Sequence, residues 1–178
     1  KKNYSFPITL TASMTRPLNE EEYNLIGSPN EWGVLSIRPM GATIRLTKDK
    51  RILIRNTAEL RNPNLMNSKV LENRVKLHKF GIRKRFPILP ENLIEYSWSG
   101  IVSRSGNSSQ IFEKIDQNIY VAGCYNGSGI GVGTLFGEQI AIMASNQQSN
   151  EIRTIQDIKK PNYLPPQPLL NIGIYTRL

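Results

Sequence analysis

Short runs of apolar and β-branched residues recur along the first part of the chain and predict β-strands. The pairs Gly41-Ala42 and Asp49-Lys50 separate three of these runs, as expected of turns between neighbouring strands. The predicted strands are Ile8–Ser13, Gly33–Met40, Thr43–Asp49, Arg51–Asn56 and Ile94–Val102. Together they predict an antiparallel sheet.

A capping-box spacing predicts a short helix between the first two strands. Asn19 can accept a hydrogen bond at the helix N-terminus, and Glu22 follows it by three residues. The helix is expected to end at Gly27. Its carboxylates, those of Glu20, Glu21 and Glu22, are interpreted as partners of the helix dipole rather than as acid–base catalysts.

A longer helical pattern opens at Asn62-Pro63 and is expected to stop at Gly81. Apolar residues spaced by one helical turn form a stripe along it, which predicts an amphipathic helix packed on the sheet. The stripe consists of Met66, Val70, Leu77 and Phe80, with Leu71 and Val75 beside it.

The charge of the chain permits an acidic partner without identifying one. The 178 residues include 23 Lys and Arg against 14 Asp and Glu, a formal charge of +9. Seven basic residues lie between Lys69 and Arg85, where Glu72 is the only acidic residue. Because aromatic residues do not alternate with these charges, we interpret the stretch as a solvated basic face, with no nucleic-acid partner. His78, within the stretch, is expected at the surface rather than in catalysis.

Cysteine and histidine content exclude two classes of site. The single cysteine, Cys124, cannot form an internal disulfide and is expected to be a buried structural thiol. The single histidine leaves no His/Cys set with metal-ligand spacing, so no metal is expected. The first residues show neither an initiator Met nor the apolar run of a signal peptide. A cytoplasmic protein, whose chain begins inside a longer one, is therefore expected.

The most informative segment is a strand, a glycine-rich turn and a helix. An apolar strand, Ile119–Cys124, runs into a turn containing Gly127 and Gly129 and then into a helix. Free backbone N–H groups at such a helix N-terminus favour an anion or developing negative charge. The spacing matches neither G-x-G-x-x-G nor a Walker A loop. Small residues recur every fourth position along the helix and predict a smooth groove; they are Gly129, Gly133, Gly137, Ala141 and Ser145.

That helix is not expected to span a membrane. Asn126 and Glu138 interrupt its apolar run, and its glycines suit a turn better than a spanning segment. We instead expect a helix buried against a neighbouring layer, and no membrane partner.

Several motifs resemble one enzyme family. Val121–Ile130 and Gly137–Ala141 are similar to the C-terminal flavin-binding segment of the FAD-dependent D-amino acid oxidase/sarcosine oxidase superfamily. Arg45–Ile54 is similar to its substrate-domain hairpin, and Tyr96–Gly100 to its Trp-x-Gly strand, which follows a helix exit like Arg85–Leu89. Order and spacing agree over about residues 8–145. Amine-oxidising members of the gamma-glutamylputrescine oxidase type are the most similar.

The resemblance implies an α+β fold in which a mainly antiparallel sheet with flanking helices forms part of the substrate lobe. Residues 1–110 would belong to that lobe, and residues 111–148 would form the strand-turn-helix of the FAD-binding lobe. Residues 149–178 are rich in proline and are expected to run extended over the surface, with one helical turn near Ile155.

The resemblance also implies FAD as cofactor and oxidation of a C–N bond of an amino acid or amine by hydride transfer to flavin. The implied cofactor-binding residues are Gly123, Tyr125, Asn126, Gly127, Ser128, Gly129, Ile130 and Gly131. Arg45 is the candidate for binding a substrate carboxylate, since guanidinium can bind it bidentately, and Tyr96 and Trp98 are candidates for the pocket walls. Catalytic residues are not identified.

Three departures limit the resemblance. The first glycine of the family's turn falls on Cys124, and Gly123 lies one residue earlier. Ser128 stands where the family has His, and Gly131 stands where some sarcosine oxidases have Lys, so those two roles are not transferred. Cys124 does not match the position at which some members attach flavin covalently.

Proteins of this family begin with a strand, a G-x-G-x-x-G motif and a helix that bind the FAD pyrophosphate, and no such motif precedes Ile8. We therefore expect the C-terminal part of an enzyme, inactive without the ADP-binding half of the same protein.

Two alternatives remain open at this stage. A non-catalytic basic module could bind nucleic acid or phosphate-bearing ligands through Lys76–Arg85 and the glycine turn. A separately encoded subunit could complete a flavin site with a partner chain.

Overall fold

The computed structural model of the chain describes residues 3–37, 41–60 and 66–175. The described residues divide into two compact units, one within residues 9–101 and the other formed by residues 3–8 with 102–175. The fold is α+β with a mainly antiparallel sheet and flanking helices, which confirms the predicted class.

A five-stranded sheet has the strand order β2-β3-β4-β1-β5. Antiparallel pairing joins β2, β3 and β4 and places Ile44 opposite both Val34 and Ile54. All five strands were predicted, with bounds shifted by several residues; Met40 lies outside the described residues. The strands are β1 (Phe6–Thr15), β2 (Trp32–Leu35), β3 (Thr43–Leu46), β4 (Ile52–Leu60) and β5 (Ile94–Arg104).

The predicted capping box is present at helix α1 (Glu20–Leu25). The Glu22 N–H donates to Asn19 Oδ1 at 2.8 Å, and the Asn19 N–H donates to Glu22 Oε2 at 3.0 Å. The structure adds Arg16, whose two terminal nitrogens each bind one Glu22 oxygen at 2.6 Å. These hydrogen bonds hold the pKa of Glu22 below its ordinary value. Glu22 is thus a structural ion-pair partner as well as a cap.

Helix α2 (Ser68–Arg85) corrects the predicted stop at Gly81. Asn67 caps its N-terminus, whereas Asn62 and Pro63 lie outside the described residues. Gly81 is buried inside the helix, where an added Cβ would lie 2.7 Å from Ile54 Cδ1. The glycine therefore allows close approach of α2 to β4 rather than ending the helix.

The core between α2 and the sheet corrects the predicted apolar stripe. Leu77 is 43% and Phe80 65% exposed, so these two stripe residues face away from the core. The buried face of α2 instead carries His78, Gly81 and Ile82. The core cluster consists of Leu18, Ile44, Leu46, Ile52, Ile54, Ile82, Leu89 and Leu93.

His78 is fully buried, contrary to the predicted surface position. Its Nδ1 lies 2.7 Å from Ser13 Oγ, and its Nε2 lies 3.2 Å from both Thr11 Oγ1 and the Asn56 carbonyl oxygen. The side of β1 that faces α2 is lined with hydroxyls, and this polar surface is what accepts an imidazole. Burial lowers the pKa of His78, more than the Asn56 carbonyl raises it.

This burial makes stability depend on pH. Below the ordinary histidine pKa of about 6.5, the unfolded chain binds a proton that the folded chain resists. The free energy of unfolding should therefore fall as pH falls below that value, by at most about 1.4 kcal/mol per pH unit, and level off below the folded-state pKa. Urea titrations between about pH 7 and about pH 5 would measure the slope. The His78→Gln variant should lose it, and an unchanged slope in that variant would contradict the assignment.

The second unit contains a β-hairpin and three helices. Strands β6 (Ile111–Asp116) and β7 (Ile119–Gly123) pair antiparallel, with Phe112 opposite Ala122. Helix α3 (Gly129–Ala144) follows β7, and the Phe112 and Phe136 rings meet edge to face at 5.3 Å between centroids. The strand β7 and helix α3 were predicted, whereas β6 was not.

The proline-rich end of the chain is less extended than predicted. Helix α4 (Asn150–Asp157) is capped by Ser149 and buries Ile152 and Ile155. Helix α5 (Leu169–Tyr175) follows. Helix α4 forms because its apolar spacing gives it a face to bury. The predicted extended course therefore applies only to the residues between α4 and α5.

Candidate functional site

The turn between β7 and α3 uses left-handed backbone conformations at three positions. The φ angles are 57° at Cys124, 56° at Asn126 and 98° at Gly127. Glycine and asparagine are the residues that most readily adopt this region. Cys124 is buried and not in a disulfide, as predicted.

The Asn126 side chain anchors the turn. Its Oδ1 accepts from the Ser105 N–H at 2.9 Å. Its Nδ2 donates to the Cys124 carbonyl at 2.8 Å and to the Ser109 carbonyl at 3.2 Å. Asn126 therefore supports the turn from beneath, a role that the sequence pattern did not indicate.

Tyr125 occupies part of the predicted helix groove. An added Cβ at Gly133 would lie 3.3 Å from its Cε2, and one at Gly129 would lie 3.7 Å from its Cδ2. The ring also meets Phe136 edge to face at 6.0 Å. Packing against Tyr125 thus explains Gly133, whereas the 3.7 Å distance at Gly129 is an ordinary van der Waals contact that does not require glycine.

Two other glycines are not explained by packing. An added Cβ at Gly127 or Gly131 would meet nothing within 4 Å. Both residues are exposed, as are Ser128 and Gly129, and Ile130 is 93% exposed. Ser128 makes no side-chain capping bond, so the first N–H groups of α3 have no partner from that side chain. The outer surface of the turn is bare backbone at a helix N-terminus. Gly123 ends β7 beneath it.

The three predicted substrate residues lie on the sheet of the other unit. On β3, Ile44 and Leu46 point into the core, so strand alternation puts Arg45 on the opposite sheet face. On β5, Ser97 bonds to Ser13 on the α2 side, which puts Tyr96 and Trp98 on that same opposite face. Tyr96 is 54% and Trp98 41% exposed.

Arg45 does not lie beside the two aromatic residues. Its strand β3 is three positions from β5 in the sheet order, which corresponds to about 14 Å across the strands. The neighbour that the structure gives Tyr96 is Arg51, whose guanidinium carbon lies 5.5 Å from the ring centroid. Arg51 also pairs with Glu95 and Asp49.

Arg55 is a second guanidinium on the face that carries Arg45. It donates to Thr43 Oγ1 at 2.7 Å and to the Gly41 carbonyl at 3.0 Å, and it is half-buried. Burial lowers its pKa. Within residues 3–37, 41–60 and 66–175, no carboxylate forms an ion pair with it. Arg55 was not among the predicted site residues, although strand alternation puts it on the same face as Leu53, opposite the buried Ile52 and Ile54.

A comparison with protein-family models identifies the family. The model of the FAD-dependent oxidoreductase family, DAO, matches residues 4–143. The chain belongs to this family. The match includes both the turn at 124–128 and the strands that carry Arg45, Tyr96 and Trp98. A basic module outside this family is therefore not favoured.

Solved structures share the fold of this DAO-family chain. L-proline dehydrogenase from P. horikoshii has a TM-score of 0.63 at 19% identity, over 86% of this chain and 39% of that one. Glycine oxidase from Geobacillus kaustophilus has a TM-score of 0.65 at 16% identity, over 84% of this chain and 37% of that one. Glycine oxidase from Bacillus cereus ATCC 14579 has a TM-score of 0.57 at 16% identity, over 82% of this chain and 38% of that one. The chain thus spans about two fifths of the length of these proteins.

Three further findings concern sequence relatives, membrane spans and metal sites of the DAO-family chain. No curated protein sequence matches it. Within the described residues, no helix has both the length and the apolar character needed to cross a membrane. Nor does that part of the chain contain a group of three or more His, Cys, Asp or Glu side chains placed to hold a metal ion.

The turn is compatible with the family's FAD. Its outer surface offers open space at Gly127 and Gly131, where side chains would otherwise keep a planar group from the backbone. The helix N-terminus behind it adds partial positive charge. Gly131, which the chain's own packing does not require, therefore leaves room for a flavin beside the backbone.

Proposed function

We propose that the chain forms part of an FAD-dependent oxidoreductase that oxidises a C–N bond of an amino acid or amine. Membership of the FAD-dependent oxidoreductase family supports the cofactor. The fold neighbours are named for L-proline and glycine, both amino acids, which supports the substrate class. The overall reaction converts the amine to an imine, which water then hydrolyses.

The observation that carries this proposal is the open backbone at Gly131, since the φ of 98° at Gly127 already accounts for that glycine. Glycine inside a helix costs about 1 kcal/mol relative to alanine. Nothing in the described chain requires that cost at Gly131, because its missing side chain would meet no other atom within 4 Å. A ligand that approaches the backbone closely would explain it.

FAD, when bound, supplies the two-electron acceptor for the oxidation. The chain's own contribution at the turn is electrostatic. The N–H groups of Gly129, Ile130 and Gly131, at the start of α3, would favour negative charge placed against them. Asn126 would keep these donors in position through its three hydrogen bonds.

Substrate binding is assigned to the exposed sheet face. Arg45 and Arg55, on one sheet face, are the candidates for a substrate carboxylate. Tyr96 and Trp98 stand about 10 Å or more away across the strands, so they are candidates for the apolar part of a longer substrate such as gamma-glutamylputrescine. Sequence outside these 178 residues is proposed to supply the ADP-binding part of the site, since the solved relatives are more than twice as long.

The flavin content of the protein tests the cofactor assignment. The chain should be produced together with its natural flanking sequence, and any flavin released by denaturation should be identified by chromatography. We expect FAD in a stoichiometric amount. Absence of flavin, or release of FMN alone, would contradict the proposal.

Substrate kinetics distinguish Arg55 from Arg45. A charge-assisted hydrogen bond contributes roughly 1.5–3 kcal/mol, so the Arg55→Met variant should raise KM for an amino acid about 10- to 100-fold. Arg45→Met should have a smaller effect, because exposed Arg45 keeps its hydration. The panel comprises glycine, L-proline, gamma-glutamylputrescine and the carboxylate-free methylamine as control. An equal rise for methylamine would show that Arg55 does not recognise the carboxylate.

A further inference from the structure

A chain of buried hydrogen bonds connects helix α2 to strand β5. His78 Nδ1 on α2 lies 2.7 Å from Ser13 Oγ on β1, which lies 2.7 Å from Ser97 Oγ on β5. His78 and Ser13 are both fully buried. Three elements that are distant in sequence are thus joined by three side chains, which we call the His78 relay.

The direction of the relay follows from the partners of the imidazole. Nε2 lies 3.2 Å from the Asn56 carbonyl oxygen, which can only accept, so Nε2 carries the proton. Nδ1 then accepts from the Ser13 hydroxyl. Ser13 has donated its only proton and therefore accepts from Ser97. Every hydroxyl in the relay has a defined role.

Strand β5 lies at the edge of the sheet, so it has only one neighbouring strand among the described residues to hold it. It is the last strand in the sheet order, next to β1. Ser97 stands between Tyr96 and Trp98, whose side chains project from the other face. Ser99 is held on the same side as Ser97, by accepting from the Met66 N–H at 3.1 Å. Side-chain bonds on one face of β5 therefore add to the backbone hydrogen bonds that hold the strand, and its aromatic residues, beside β1.

We propose that His78 is a positioning residue for Tyr96 and Trp98, acting through Ser13 and Ser97. The relay fixes the edge strand against β1, and the strand in turn presents the two aromatic side chains. Its effect on substrate binding depends on the function proposed above. Its effect on Trp98 does not, which allows the two proposals to fail separately.

Fluorescence of Trp98 tests the relay without substrate. These 178 residues contain two tryptophans, Trp32 and Trp98. A background in which Trp32 and every tryptophan of the flanking sequence are replaced by phenylalanine leaves Trp98 as the reporter. Ser97→Ala should raise the rate constant for acrylamide quenching of Trp98 about twofold, because the strand opens locally more often. Ser97→Thr, which keeps a hydroxyl, should restore the original value. Ser103→Ala, an exposed serine of the same strand, is the matched control and should change nothing.

A double-mutant cycle tests whether His78 acts through Ser97. Ser13→Ala should increase quenching like Ser97→Ala, and the double variant should show no additional increase. His78→Phe should behave in the same way. If circular dichroism shows that His78→Phe does not fold, His78→Gln replaces it in the cycle with Ser97→Ala, because the Gln amide can keep the bond to the Asn56 carbonyl while losing the one to Ser13. Additive effects, or quenching equal to that of the Ser103→Ala control, would overturn the proposal.

Kinetics in the flavin-loaded protein provide the second readout. Ser97→Ala should raise KM for the longer substrate gamma-glutamylputrescine about fivefold at unchanged kcat, and should leave KM for glycine unchanged. An unchanged KM for gamma-glutamylputrescine beside a changed Trp98 signal would overturn the link to substrate. If no amine reduces the flavin, the proposed function is wrong, and the quenching result still decides whether the relay positions Trp98.

Discussion

Replacing Asn126 with alanine is expected to lower the free energy of unfolding by about 2.5–5.5 kcal/mol. Three hydrogen bonds to Ser105, Ser109 and Cys124 would be lost, each with a net value of about 0.5–1.5 kcal/mol. Alanine must also adopt the left-handed conformation at a φ of 56°, which costs about 1 kcal/mol. Urea denaturation measures the sum.

Two further variants separate these contributions. Asn126→Gly removes the hydrogen bonds but accepts the positive φ, so it should be about 1 kcal/mol more stable than Asn126→Ala. Asn126→Asp keeps the acceptor for Ser105 and loses both donors. If the alanine variant were as stable as the wild type, Asn126 would not anchor the turn.

Replacing Gly131 with leucine is expected to weaken FAD binding about 100-fold, or roughly 2.7 kcal/mol, and to leave the fold intact. The new side chain would enter the open space at the start of α3 and keep any flat ligand from the backbone. The unfolding free energy should change little or rise, since leucine favours a helix more than glycine does. FAD titration followed by flavin fluorescence measures the affinity.

Gly137 is the matched control for this variant. It lies in the same helix, it is exposed, and its added Cβ would also meet nothing within 4 Å. It is six residues farther on, about 9 Å along the axis. Gly137→Leu should therefore bind FAD much better than Gly131→Leu. Equal affinities in the two variants would show that the start of α3 does not contact the flavin.

Local patterns predicted the elements of this fold well where the signal was itself local. The capping box at Asn19 and Glu22 is present in the structure, and the five strands of the sheet follow from short β-branched runs. A turn or a cap depends on neighbouring residues, so the sequence contains the information directly.

Helix α2 shows where such reasoning fails. Its apolar spacing pointed to Leu77 and Phe80 as buried, whereas the structure buries His78 and Gly81. The cause is the hydroxyl-lined side of β1, which bonds an imidazole, together with the close contact at Ile54 that only glycine permits. Both depend on which strand the helix meets, and that is not visible in the helix sequence.

The candidate site divides in the same way. Gly127 and Gly131 were recognisable from the strand-turn-helix pattern and the family resemblance. The bonds of Asn126 to residues 105–109 join segments about twenty positions apart, and the half-buried state of Arg55 depends on the sheet around it. The assignment of residues 1–110, 111–148 and 149–178 to separate lobes and a tail stays a prediction, as do the roles given to the site residues.

Anaerobic reduction of the flavin by defined substrates tests whether the protein oxidises a C–N bond. The flavin-loaded protein would be mixed with glycine, L-proline or gamma-glutamylputrescine in the absence of oxygen, and the visible absorbance of the oxidised flavin followed. We expect at least one of these amines to bleach the flavin. The corresponding hydroxy acids, such as glycolate in place of glycine, should not bleach it. Bleaching by a hydroxy acid but by none of the amines would contradict the assignment of C–N oxidation.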